Sequence, residues 1–262
     1  MEKDKRRISH VCAHLCTLST RHSRGRTICL LLFSQTGFMK GVNVIFMAKT
    51  KINDQTLGEE ITNSITHGVG ALLSVAGCVI AIVFAVIYGT AIDVVSASLY
   101  GASLIILFVV STMYHSLAHN KAKAVFRVLD HCSIFLLICG SYIPIALSLI
   151  GGVKGWVLFG IITGCTVVGI VFNAIDMHRW KKISVVLYLL MGWAVVFDMR
   201  TVIEKTPEGG IWFLLLGGVA YTIGVIFYKM KKFKYMHSVW HLFVLTGSVL
   251  HYFYILLYII KG

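Results

Sequence analysis

Negative charge is scarce in this chain. Its 262 residues include 11 Asp and Glu against 24 Lys and Arg, only 13% charged residues in all, and two prolines. With 57% hydrophobic residues and a mean hydropathy of +0.82, that composition excludes an ordinary soluble domain. Two prolines leave room for long, unbroken helices. The seven cysteines, at 12, 16, 29, 78, 132, 139 and 165, contain no Cys-x-x-Cys pair. Four of them lie in apolar runs, which excludes a disulfide framework. The chain also lacks a phosphate-binding glycine loop, a Gly-x-Ser-x-Gly elbow and a His-Glu-x-x-His pair. It lacks period-two alternation as well, which excludes a β-barrel.

What it has is apolar length. Seven runs are long enough to cross a bilayer, at about 64–88, 93–117, 125–149, 155–174, 182–199, 210–229 and 236–260. The short linkers between them imply one helical bundle. The fold class expected is therefore an all-α membrane protein, a seven transmembrane helix bundle. The net charge of +13 is distributed as a membrane protein distributes it, so no nucleic acid partner is implied. Alternate loops carry Lys121, Lys123 and Arg127, then Arg179, Lys181 and Lys182, then Lys229, Lys231, Lys232 and Lys234. The opposite loops and tail carry only Lys154, Arg200, Lys205 and Lys261. This positive-inside bias puts the N-terminus in the cytoplasm and the C-terminus outside. A multi-pass cell-membrane protein among membrane lipids is expected.

Residues 1–46 differ from the rest, being basic and free of helical apolar periodicity; they read as a disordered or over-extended tail. Met47 begins Met-Ala-Lys-Thr-Lys, and Lys40-Gly41-Val42 upstream can be encoded by a ribosome-binding sequence, so translation is expected to start at Met47 rather than Met1. His10, Cys12, His14 and Cys16 alternate, a spacing unlike common zinc sites. Residues 47–63 read as a cytoplasmic amphipathic lead-in, and 64–262 as the membrane domain.

His237 and His241 open the last apolar run. On a helix they share one face, about 6 Å apart along the axis. Ionisable residues inside a membrane helix are costly and tend to be functional. Loop charge places Ser111 and His115, at the end of the second run, and Asp130, at the start of the third, at the same depth. Three imidazoles with an open position for water suit a catalytic metal, and a carboxylate beside that water can orient it or take its proton. His119 competes with His115 but lies further into the basic loop. His178 sits in a basic loop. His251 is fourteen residues beyond His237, about 21 Å along the helix, and cannot join the site. Glu59, Asn63 and His67 follow at four-residue steps as one polar stripe, either an interfacial turn or a second shell to the site. Tyr142 and Pro144 are expected to bend the third span, and Gly68-x-Gly70 and Gly217-Gly218 to mark close helix contacts.

Glu59-Glu60-Ile-Thr-Asn63-Ser-Ile-Thr-His67-Gly-Val-Gly70, Ser111-Thr-Met-Tyr-His115-Ser, Leu129-Asp130-His131, Gly140-Ser-Tyr142-Ile-Pro144 and His237-Ser-Val-Trp-His241 together resemble the hemolysin III family. That family is the bacterial branch of the progestin and adiponectin receptor superfamily, which is similar to alkaline ceramidases. The resemblance covers about residues 56–260. It implies seven helices around a zinc site near the cytoplasmic face, with His115, His237 and His241 as ligands, Asp130 holding the zinc-bound water and Ser111 beside it. The activity expected is hydrolysis of a lipid amide or ester. The alternatives are a membrane-lytic or pore-forming protein, and a regulator or receptor of membrane lipid state with structural zinc. Histidine and carboxylate would also suit iron, manganese or cobalt.

Overall fold

The structure, a computed structural model, describes residues 55–230 and 232–261. The N-terminal tail, the Met47 start, the His10–Cys16 alternation and residues 47–54 of the lead-in lie outside the described residues. All the described secondary structure is helical.

Local chemistry sets each helix start. Helix α1 (Leu57–Tyr88) opens with a capping box, in which the Thr56 amide donates to Glu59 Oε2 at 2.9 Å. At the start of α2 (Ala91–Ser116) the Thr90 amide donates to Asp93 Oδ2 at 2.7 Å. Helix α3 (Lys121–Ile143) is capped by Asn120, whose Oδ1 accepts from the Lys123 amide at 3.0 Å. From Pro144 to Ile150 α3 widens into a π-helical stretch, the expected disturbance at the proline. Gly151, at φ 68°, turns the chain into α4 (Gly152–Gly192). Tyr142 does more than accompany the bend. Its hydroxyl donates to Gly192 O at 3.0 Å and accepts from the Val195 amide at 2.8 Å, pinning the short 3-10 turn Ala194–Asp198. Helices α5 (Met199–Lys205), α6 (Glu208–Lys229) and α7 (Met236–Ile255) follow, and α7 ends in a second π stretch, Leu256–Ile260.

Among the described residues six helical stretches are long and apolar enough to cross a membrane, by length and composition. The expected fourth and fifth runs fall together in one of them, Gly152–Lys205. That stretch is not straight. Asp176 has non-helical angles, φ −157° and ψ 86°, and its Oδ1 accepts from the His178 and Arg179 amides, both at 3.0 Å, as a new N-cap. Fifteen residues of continuous helix would separate Asn173 from Tyr188 by about 22 Å. Their side chains instead hydrogen-bond at 3.3 Å, and Ser184 Oγ donates to Asn173 Oδ1 at 2.7 Å. The chain therefore doubles back at Asp176.

The face that α1 buries is built from small or polar residues at alternating three- and four-residue steps: Glu60, Asn63, His67, Gly70, Ser74, Gly77, Ala81 and Ala85. The opposite face is apolar and exposed, with Leu72, Val79 and Val86 among its residues. In water such a surface would be an aggregation hazard; against acyl chains it is what a membrane helix presents. Large side chains fill the interior, with Tyr100, Phe108, Phe135, Ile162 and Tyr254 all essentially inaccessible.

Candidate metal centre

Five helices bring their polar residues to one end of the bundle. The last turn of α2 carries His115 and the first turns of α7 carry His237 and His241. The opening turns of α1 supply Glu60, Asn63 and His67, and those of α3 supply Lys123, Arg127, Asp130 and His131. The close of α6 supplies Tyr228. The reversal at Asp176 lies at this end too, because Tyr188, across from Asn173, donates to His131 O at 2.7 Å.

His115, His237 and His241 each offer a ring nitrogen, and the three atoms lie within 4.8 Å of one another. His237 Nε2 and His241 Nε2 are 3.1 Å apart. Two nitrogens each about 2.0–2.1 Å from one tetrahedral zinc would be about 3.3 Å apart. His115 and His241 are 3% and 2% exposed, so no bulk water solvates their ring edges. The neighbours decide which edge faces inward. His115 Nδ1 lies 2.7 Å from Glu60 Oε2. A carboxylate only accepts, so this nitrogen carries the proton. His115 Nε2 is then a bare lone pair, buried and without a partner. His241 Nδ1 likewise faces Asn63 O at 3.4 Å, leaving its Nε2 to meet His237. The donor set fits a metal ion of the zinc class: neutral imidazoles, converging lone pairs, and outer partners that fix the rings.

The outer partners differ in one respect from the expected stripe. Glu59, grouped with Asn63 and His67 by spacing, turns away. Besides closing the capping box, its Oε1 accepts from the Tyr235 amide at 2.8 Å and holds the left-handed residue (φ 61°) that starts α7. Glu60 takes the place beside His115, with its second oxygen 2.9 Å from Lys123 Nζ. Asn63 is fully buried. Its Nδ2 donates to Gln55 Oε1 at 2.8 Å, and its Oδ1 accepts from Ser238 Oγ at 2.5 Å. His67 stacks on His241, ring centroids 3.6 Å apart and 12° from parallel, with its edge toward Phe108. Both His67 nitrogens are buried without partners.

Sequence reading passed over Glu60 and Lys123. Lys123 and Arg127 were counted as loop charges, yet both lie within α3 at 1% and 4% exposure. The small-residue stripe Gly70, Ser74, Gly77, Ala81 was the missed signal for Glu60. Extended back toward the helix start, its phase meets residue 60 and not 59.

Ser111 sits one helical turn before His115 on the same face of α2, 1% exposed, and its hydroxyl has no partner among the described residues. Asp130 is part-buried at this same end, its Oδ2 3.7 Å from His131 Nδ1; it is not one of the three converging ligands. His131 instead reaches Tyr228, Nε2 to hydroxyl at 3.3 Å. His119 is exposed in the α2–α3 connection and His178 at the Asp176 turn. His251 lies away from the centre, its Nε2 bonded to Leu214 O at 3.1 Å. An apolar cavity of about 100 Å³ separates α3, the second arm of α4, α6 and α7; Leu137, Tyr142, Trp193, Tyr221, Trp240 and His251 are among its walls. Trp240 and Val244 of α7 are also in the wall, while His115, His237 and His241 are not.

The described haemolysin-III related family matches residues 55–252. The chain is 40% identical over 206 residues to "Hemolysin-3" of Bacillus cereus, covering 79% of this chain and 94% of that protein. It is 39% identical over 206 residues to "Hemolysin-3 homolog" of Bacillus subtilis (strain 168), covering 79% and 97%. It is 28% identical over 180 residues to the human "Monocyte to macrophage differentiation factor", covering 64% and 72%.

Proposed function

The chain belongs to the haemolysin-III related family, and on that premise we propose that this membrane protein is a zinc-dependent hydrolase of a lipid amide or ester. The observation that carries the reading is the convergence of three imidazoles, His115 and His241 buried and His237 half-buried, the two buried ones with outer partners that leave their Nε2 lone pairs facing inward. We count seven crossings, taking the two arms on either side of Asp176 as separate spans, with the N-terminus cytoplasmic by loop charge. The histidine end then lies in the cytoplasmic leaflet of the cell membrane.

Zinc supplies Lewis acidity to a carbonyl and to water. The chain's own residues do the rest. His115, His237 and His241 hold the ion. The unpartnered Ser111 hydroxyl offers a hydrogen bond at the same face. The Asp130 carboxylate orients water and takes its proton. Glu60, Asn63 and His67 keep the imidazoles in place, and the apolar cavity among α3, α4, α6 and α7 accepts part of an acyl chain.

Two measurements test this. Metal analysis of the purified protein should find one equivalent of zinc, lost in His237→Ala. A panel of lipid amides and esters should reveal hydrolysis that His237→Ala and Asp130→Ala abolish or cripple; activity indifferent to both changes sinks the proposal. The lytic reading, which the names of the Bacillus relatives carry, predicts liposome leakage that survives loss of the histidines.

A further inference from the structure

Lys123 is 1% exposed, at the cytoplasm-facing end where a lysine could reach water with little effort. A buried ammonium needs compensation, and it has three partners. Nζ lies 2.9 Å from Glu60 Oε1, donates to Leu117 O at 3.0 Å, and sits 5.1 Å over the Tyr114 ring. Leu117 is two residues beyond His115, and Tyr114 is one before it. Every partner of this lysine is therefore His115's neighbour or its hydrogen-bond acceptor.

We propose that the Lys123–Glu60 pair is a positioning element that sets the tautomer of His115, so that its Nε2 lone pair faces the metal centre. The inference rests on the metal-centre reading above. An ammonium can only donate and a carboxylate can only accept. With Lys123 on Oε1, Glu60 presents Oε2 to His115 at 2.7 Å as an acceptor and nothing else. The proton is held on Nδ1, and Nε2 stays bare. The Asn63 amide gives one hydrogen to Gln55; its second has only a 3.5 Å nitrogen-to-nitrogen approach to the same Nδ1, at the edge of hydrogen-bonding range and far longer than the 2.7 Å contact to Glu60. A salt bridge that merely tied α1 to α3 would be indifferent to which His115 nitrogen carries the proton.

That difference makes the test. In Glu60→Gln the side chain keeps its shape but gains a donor. Lys123 claims the carbonyl oxygen, so the amide NH2 turns toward His115 Nδ1. The imidazole must then accept there, and its proton moves to Nε2, blocking the ligand position. Cobalt and zinc titrations of the purified full chain, with a competing chelator and the visible cobalt spectrum, read the result. Glu60→Gln is expected to weaken metal binding about 10–100-fold and to alter the cobalt bands. Adding Lys123→Met frees the glutamine to turn its carbonyl to His115, so the double variant should bind metal more tightly than Glu60→Gln alone. Glu60→Gln with wild-type affinity and spectrum overturns the inference, and so does a double variant weaker than Glu60→Gln. Wild-type protein that takes up no metal overturns the metal reading itself, and this inference with it. A measurement on unsubstituted apoprotein serves if the variants misfold. In ¹⁵N-histidine-labelled protein, with the His115 signal identified by its loss in His115→Asn, the proton should be found on Nδ1; a proton on Nε2 overturns the inference.

Discussion

Helix α7 carries two kinds of inward histidine. His251 hydrogen-bonds Leu214 O on α6 at 3.1 Å and packs its ring against Tyr221. Room for the ring comes from Gly217, where any Cβ would collide with it. His237 and His241, on the same helix, end instead on each other and on His115, nitrogen against nitrogen. Both arrangements hold imidazole half-buried or buried in an apolar bundle. One closes on a backbone carbonyl and asks for nothing more. The other sets imidazole nitrogen against imidazole nitrogen, a contact that a shared proton or a cation can join. The partner, and not the burial, separates a packing histidine from a ligand.

That contrast can be broken in several places. The largest effect is expected from His237→Ala or His241→Ala, which should remove the metal equivalent entirely, as read by elemental analysis of the purified protein. His251→Ala should leave it untouched. Next, Asp130→Ala should keep the metal while hydrolysis of the best lipid substrate falls about 10²–10⁴-fold, the usual contribution of a general acid or base. Gly217→Ala should act on the packing side alone. It overfills the α6–α7 contact and should destabilise by about 1–3 kcal/mol, seen as a lower melting temperature in detergent at full metal content. The smallest effect is expected from Thr56→Ala, which removes a cap and should lower stability by about 1 kcal/mol at full metal content, read from the melting temperature and elemental analysis.

Much of this was legible in the residues. Apolar run lengths locate most helix ends within a few positions, α1 starting seven residues before its run, and loop charge alone puts His115, Asp130, His237 and His241 at one end. Three things were not legible, for physical reasons. Glu59 and Glu60 are adjacent, and both fall at helical steps from Asn63, so local spacing does not choose between them; only the phase of the small-residue stripe over the length of α1 does. Lys123 and Arg127 look like loop charges because a positive-inside count sees side-chain type and not direction. The reversal itself was expected between the fourth and fifth runs, but not the residue that makes it: no proline or glycine marks the spot, and Asp176 turns the chain by capping the following turn.

Three links join the start of the bundle to its end: Glu59 to Tyr235, Asn63 to Ser238, and Gly77 to Tyr252, each spanning 175 or 176 positions of chain. Contacts of such long range form late, because the intervening loop must close first. During synthesis the ribosome has delivered α1, α2 and α3 long before α7 exists, so His115 waits with its shell half built. Until the last helix docks there is one imidazole and no pair to join it. On the proposed reading, metal uptake is a terminal step of assembly, because the three-histidine group is complete only when α7 has docked.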